Sequence, residues 1–165
     1  MKYFKKIDIK LVKGKYKNPI KDQLKYPKQI YDIFKSIKDK NQEILIGIYL
    51  DDNMNTISYD ILSVGGENIA LVLPEEIFMR SYLTRCKIFM LVHNHPSGNP
   101  TPSKQDKEVI EIIKKQSKIL NRFFLDFIII GDMDASDKNK NYWSMFEEEN
   151  GDNYINVIKN RLTAK

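Results

Sequence analysis

Ile88-Phe-Met-Leu-Val-His-Asn-His-Pro-Ser-Gly-Asn-Pro-Thr-Pro-Ser-Lys-Gln-Asp106 is the stretch whose reading decides the fold. Ile88 to Val92 shows no polar alternation, so it reads as a central strand covered on both faces. The only two histidines of the protein, His93 and His95, follow it directly. Residues i and i+2 on extended backbone project to the same side, so both imidazoles can converge on one point. Pro96 keeps His95 out of the right-handed helical region and holds it extended. From Ser103 to Leu120 the apolar residues at 109, 112, 113, 119 and 120 have the spacing of a helix lying on a sheet. Asp106, in the first turn of that helix, precedes Val109 by three positions and Ile113 by seven, which places it on the inward stripe. Strand end and helix start are thus aimed at each other. Two histidines, one carboxylate and an open fourth position form a catalytic zinc arrangement. The spacing also fits a second reading, in which Ser103 and Asp106 make a capping box and the histidines are ordinary loop residues.

The flanking sequence supplies the rest of a layered fold. Residues 5–12 alternate apolar and charged, the period of an edge or lid strand. Pro27 opens an amphipathic helix with Ile30, Ile33, Phe34 and Ile37 on one stripe, ending near residues 39–41. Ile44 to Leu50 and Thr56 to Val64 are strand-forming runs around the turn residues 51–55, an antiparallel hairpin. Pro74-Glu-Glu starts a further helix, with Ile77, Phe78 and Tyr82 expected toward the core. Leu125 to Ile130 is another buried strand, ended by Gly131-Asp132. Tyr142 to Phe146 is a last strand before an acidic C-terminal helix. This order implies an α/β sandwich with a mixed sheet.

The bulk composition narrows the class. At 165 residues, 42% hydrophobic and 30% charged, the chain fits one globular domain with a substantial core. No apolar run approaches the roughly 20 residues that span a bilayer. The basic start of the chain is followed by no apolar signal-peptide region, so a cytoplasmic location is expected. Cys86 is the single cysteine, which excludes an internal disulfide and any cysteine-based zinc cluster, leaving imidazole and carboxylate as metal donors. The net charge of +5 is concentrated in residues 1–40, which carry thirteen lysines against four aspartates and no arginine. Those lysines read either as a solvated surface or as a contact for nucleic acid or another polyanion. Asp132, Asp134 and Asp137 do not form an EF-hand loop, because Asp137 and Trp143 occupy the positions that need glycine and glutamate. Trp143 and the tyrosines read as core and rim.

The segment from His93 to Asp106 resembles the zinc motif of the JAB/MPN (JAMM) metalloprotease superfamily: His-x-His, seven residues, Ser, two residues, Asp. Asn94, the Pro96-Ser-Gly98 that follows, and Leu125 to Asp132 are most similar to the RadC branch of that superfamily. The resemblance extends from about residue 27 to about residue 150. It implies an α/β/α sandwich with a mixed sheet, similar to cytidine deaminases, and a zinc ion held by His93, His95 and Asp106. It also implies a glutamate near the start of an early strand as general base, best matched by Glu43 before the apolar run 44–50. The competing reading of Glu43 is a surface residue that starts a strand; Glu67, Glu75 and Glu76 are less suitably placed. Ser103 stands where the motif serine helps to bind a developing oxyanion. The expected organisation is residues 1–26 as a Lys-rich strand and connector within the same domain, 27–150 as the RadC-like domain, and 151–165 as a C-terminal helical tail.

Two departures from the RadC pattern bear on function. Only the Lys-rich strand and helix stand where helix-hairpin-helix-type regions often occur, which weakens a DNA-binding role, and Phe127 stands where RadC sequences commonly have histidine. The resemblance implies a zinc-dependent peptidase or isopeptidase acting on a protein or peptide. The alternative is a DNA-repair- or mobile-element-associated accessory protein that contacts nucleic acid and carries a structural or weakly active metal.

Overall fold

The computed structural model describes residues 10–14, 23–65, 73–135 and 140–163. Five strands form one sheet: β1 Ile44–Leu50, β2 Thr56–Val64, β3 Ile88–Asn94, β4 Phe123–Ala135 and β5 Lys140–Ser144, in the order β2-β1-β3-β4-β5. The β3/β4 pair is parallel and the other pairs are antiparallel, so the sheet is mixed, with β3 at its centre. The helices are α1 Pro27–Phe34, continued by a 3-10 turn at Lys35–Ile37, α2 Pro74–Leu83, α3 Lys104–Ile119, α4 Met145–Asn150 and α5 Tyr154–Thr163. The JAB/MPN α/β/α expectation is met.

Alternation along the central strands divides the core into two layers. Even-numbered residues of β1 and β3, such as Ile46, Ile48, Met90 and Val92, pack with Ile30 and Phe34 of α1 and Tyr154 and Ile158 of α5. Odd-numbered residues, such as Leu45, Phe89 and Leu91, pack with Ile77 and Phe78 of α2 and Ile110 and Ile113 of α3. All residues of β1 and β3 are buried, as the apolar runs Ile44–Leu50 and Ile88–Val92 require, and the polar His93 and Asn94 at the end of β3 are buried with them. His93 and His95 continue the odd-numbered face and therefore point to the α2/α3 side. In β4 the register shifts between Phe89/Phe124 and Met90/Asp126, a one-residue bulge that turns Asp126 toward α5.

Several expectations need correction. Residues 5–9 lie outside the described residues, and residues 10–12 have no regular structure; Leu11 and Val12 are exposed and no strand is paired to the outer edge of β2 among the described residues. Tyr82 does not face the core. Ser81 fills that position, while Tyr82 lies under the Arg122 guanidinium and donates its hydroxyl to the Leu120 carbonyl at 3.1 Å. On α3 the buried stripe is Asp106, Ile110, Ile113 and Ser117, whereas Ile112 and Ile119 are exposed. Gly131-Asp132 does not end β4, which continues to Ala135 and pairs there with Lys140. The last strand stops at Ser144, because the Ser144 hydroxyl accepts from the Glu147 N–H and caps α4.

Candidate metal centre

The centre is built where the parallel pair β3/β4 meets the start of α3. His93 is buried at the last turn of the ladder, with its Nδ1 3.3 Å from the Ile44 carbonyl oxygen. His95 Nδ1 lies 2.7 Å from the Asn99 carbonyl oxygen. A carbonyl can only accept, so both Nδ1 atoms carry the proton, and both rings present Nε2. His95 Nε2 is 3.2 Å from Asp106 Oδ2, and the two rings stand nearly perpendicular with centroids 4.9 Å apart. One ligand atom from each of His93, His95 and Asp106 lies within 4.8 Å of the others. These three side chains, separated by up to thirteen positions in sequence, converge on one point.

The capping-box reading of Asp106 also holds. The Ser103 hydroxyl accepts from the Asp106 N–H at 3.1 Å, while Asp106 Oδ2 accepts from the Ser103 N–H at 2.7 Å and from the Ser103 hydroxyl at 2.6 Å. The two readings are not exclusives: the cap fixes the carboxylate at the mouth of the helix, and the same oxygen faces His95. Ser103 therefore sits directly behind the third donor, with its hydroxyl proton directed at Asp106.

The loop after the histidines is pinned to β4. The His95 N–H donates to the Ile130 carbonyl, the Gly98 N–H to the His95 carbonyl and the Asp132 N–H to the Gly98 carbonyl. Gly98 has φ 79°, the left-handed region that glycine tolerates. A Cβ on Gly131 would come within 2.3 Å of the Gly98 carbonyl oxygen and 2.9 Å of the Pro100 nitrogen, so the close approach of this loop requires glycine.

Glu43 immediately precedes β1 and is half-buried. The β1/β3 ladder ends at the pair Leu45 and His93; extending its register by two residues sets Glu43 against His95 on the same face. Its charge acts on His95. Its main-chain carbonyl accepts from the Gly65 N–H at 2.9 Å. Glu67 lies outside the described residues; Glu75 and Glu76 are in the first turn of α2, where Glu76 pairs with Arg80. Sequence reading gives Asn94 no role, yet it is fully buried between the two histidines and hydrogen-bonded to the main chain on both sides of Glu43. The available signal is a polar residue at the end of a strand with no exposed face.

The electrostatics suit a cation. Burial, reinforced by His95, pushes His93 down to about 4, so its imidazole is neutral near pH 7. Burial works against a charge on His95, but the hydrogen bond to Asp106, the Asn99 carbonyl and the Asp106 and Glu43 charges outweigh it and raise its pKa. Burial likewise opposes the Asp106 charge, and the His95 and Ser103 hydrogen bonds overcome it and hold the carboxyl below the usual carboxylate range. Two imidazole nitrogens and one carboxylate oxygen form a donor set that fits a zinc-sized divalent cation.

Residues 24–151 match the RadC-like JAB domain. The chain is 34% identical over 113 residues to a UPF0758 protein of Methanosarcina mazei, covering 68% of this chain and 49% of the relative. It is 36% identical over 107 residues to a UPF0758 protein of Methanosarcina acetivorans, covering 64% and 47%. The UPF0758 protein pc1765 of Protochlamydia amoebophila is 30% identical over 128 residues, covering 77% and 52%. The chain thus spans about half the length of these curated relatives.

Proposed function

The chain belongs to the RadC-like JAB domain family, and from that premise we propose that it is a zinc-dependent hydrolase of peptide or isopeptide bonds. The observation that carries the reading is the convergence of His93, His95 and Asp106 donors within 4.8 Å of one another at the end of the central strand. These three residues would hold the ion. When bound, zinc supplies a Lewis acid that acidifies water and polarises a carbonyl.

The remaining steps belong to the side chains. Glu43, on the His95 side of the centre, accepts a proton from the attacking water as its oxygen adds to the carbonyl carbon. It returns that proton to the departing nitrogen as the C–N bond breaks, which leaves a carboxylic acid and an amine. Ser103 first positions Asp106 through the cap. Its hydroxyl, once turned from Asp106, donates to the substrate oxygen as negative charge develops there. The Ile44 and Asn99 carbonyls keep both imidazoles in the tautomer that presents Nε2.

The test uses the full chain loaded with zinc and a pool of quenched-fluorescent peptides together with lysine ε-linked isopeptides. Cleavage by the wild type is expected, with loss of about a hundredfold or more in Glu43→Gln and unchanged zinc content. No cleavage above a chelator-treated control, or a Glu43→Gln variant at full rate, would contradict the proposal.

A further inference from the structure

We propose that Asn94 is a positioning residue that holds Glu43 opposite His95; the inference rests on the reading of Glu43 as the base. Main-chain pairing of β1 with β3 ends at Leu45 and His93. One residue further on, the Asn94 side chain takes over from the ladder. Its Oδ1 accepts from the Ile44 N–H at 2.7 Å and its Nδ2 donates to the Gln42 carbonyl at 3.2 Å. These two main-chain groups flank Glu43. The orientation of the amide is fixed by its partners, because an N–H needs the oxygen and a carbonyl needs the nitrogen.

The clamp is dry and closed on its other side. Asn94 has no solvent exposure, so a lost bond is not replaced by water. The Gly65 N–H, directly after β2, holds the Glu43 carbonyl, so three main-chain groups around Glu43 are tied, and the Glu43 charge acts on His95. The Ile44 carbonyl, two bonds from the N–H that Asn94 holds in the same residue's backbone frame, is the group that orients His93. His93 is also held by its own ladder pairing with Leu45 and Ile129, so its place does not depend on this segment alone. Asparagine suits the position because a neutral planar amide offers one acceptor and one donor at fixed spacing; aspartate lacks the donor and alanine lacks both.

The experiment compares wild type, Asn94→Ala, Glu43→Gln and the double variant as full, zinc-loaded chains, using the quenched-fluorescent peptide that the wild type cleaves fastest. Asn94→Ala is expected to lower kcat about thirtyfold or more, with KM changed less than about twofold and zinc affinity, by chelator competition, changed less than about threefold. In the Glu43→Gln background the same substitution should cost nothing further, because Asn94 acts through Glu43. Equal proportional losses in both backgrounds would overturn the proposal. Crystal structures decide it without turnover: Glu43 displaced in Asn94→Ala, with His93, His95 and Asp106 superposed on wild type, supports it, and Glu43 in its original place refutes it. A wild type that cleaves nothing sinks the reading of the base, while the crystal comparison still decides whether Asn94 holds Glu43. Should Asn94→Ala fail to fold, Asn94→Asp keeps the Ile44 bond, breaks the Gln42 bond and carries the same comparison.

Discussion

Asp106 caps α3, and under the proposed function the same carboxylate also holds the metal ion; the two roles can be separated by substitution. Asp106→Asn keeps the side-chain oxygen that accepts from the Ser103 N–H, so the start of α3 should lose less than about 1 kcal/mol. A neutral amide is a poor donor to a cation, and zinc affinity should fall about tenfold or more. Chelator competition alongside urea denaturation reads both; a variant that loses stability but keeps zinc affinity would show that the cap is the carboxylate's only task. Ser103→Ala tests the support behind it and should cost about 1 kcal/mol of stability. At this scale the two histidines and Asp106 were readable because the pattern of alternation on a strand and of turns on a helix fixes where each side chain points. Asn94 was not readable, since its role depends on where the β1 ladder stops, and that register is set by contacts fifty residues apart.

At the scale of elements, β4 is the support against which the loop that follows His95 is pressed. Gly131→Ala places a methyl group against the Gly98 carbonyl and the Pro100 ring, main-chain and ring atoms that cannot turn aside. The variant should lose about 1–3 kcal/mol in denaturant unfolding and bind zinc more weakly, because His95 is tied to the same loop through Asn99. Wild-type stability and zinc affinity in Gly131→Ala would show that the loop does not depend on this contact. Read from sequence, Gly131 looks like the end of a strand, since glycine commonly breaks one; only the packing of residues 98–100 shows that it marks a close approach instead. Apolar periodicity placed β1, β2, β3, α1, α2 and α3 closely but misassigned Tyr82, Ile112 and Ile119, whose exposure depends on how α2 and α3 lie beside each other. No sequence signal of the odd-residue bulge at Leu125 exists apart from the polar Asp126 that it turns inward.

At the scale of the whole molecule, Asp126 ties the C-terminal helices to the sheet. Its carboxylate accepts from the Ser144 hydroxyl at 2.7 Å, the Phe146 N–H at 2.9 Å and the Tyr154 hydroxyl at 2.6 Å. Burial dominates over these three bonds and pushes the carboxyl from 3.8 up to about 7. A raised native pKa means that the folded state binds the proton more tightly than the unfolded chain. The corresponding stabilisation is complete below about pH 4 and is lost as pH rises through 7, by at most about 4 kcal/mol. Asp126→Asn lacks this titration, so wild type should lose stability relative to the variant between pH 4.5 and 7.5 in urea unfolding; parallel pH profiles would contradict the assignment. Among the described residues no helix is long and apolar enough to cross a membrane. The central claim, that the end of β3 and the start of α3 hold a metal ion between them, is tested most directly by counting zinc. The full chain, loaded with zinc and desalted, should retain one ion per molecule by mass spectrometric metal analysis, and His93→Ala and His95→Ala, shown to be folded by circular dichroism, should retain none. Unchanged zinc in both folded variants would contradict it.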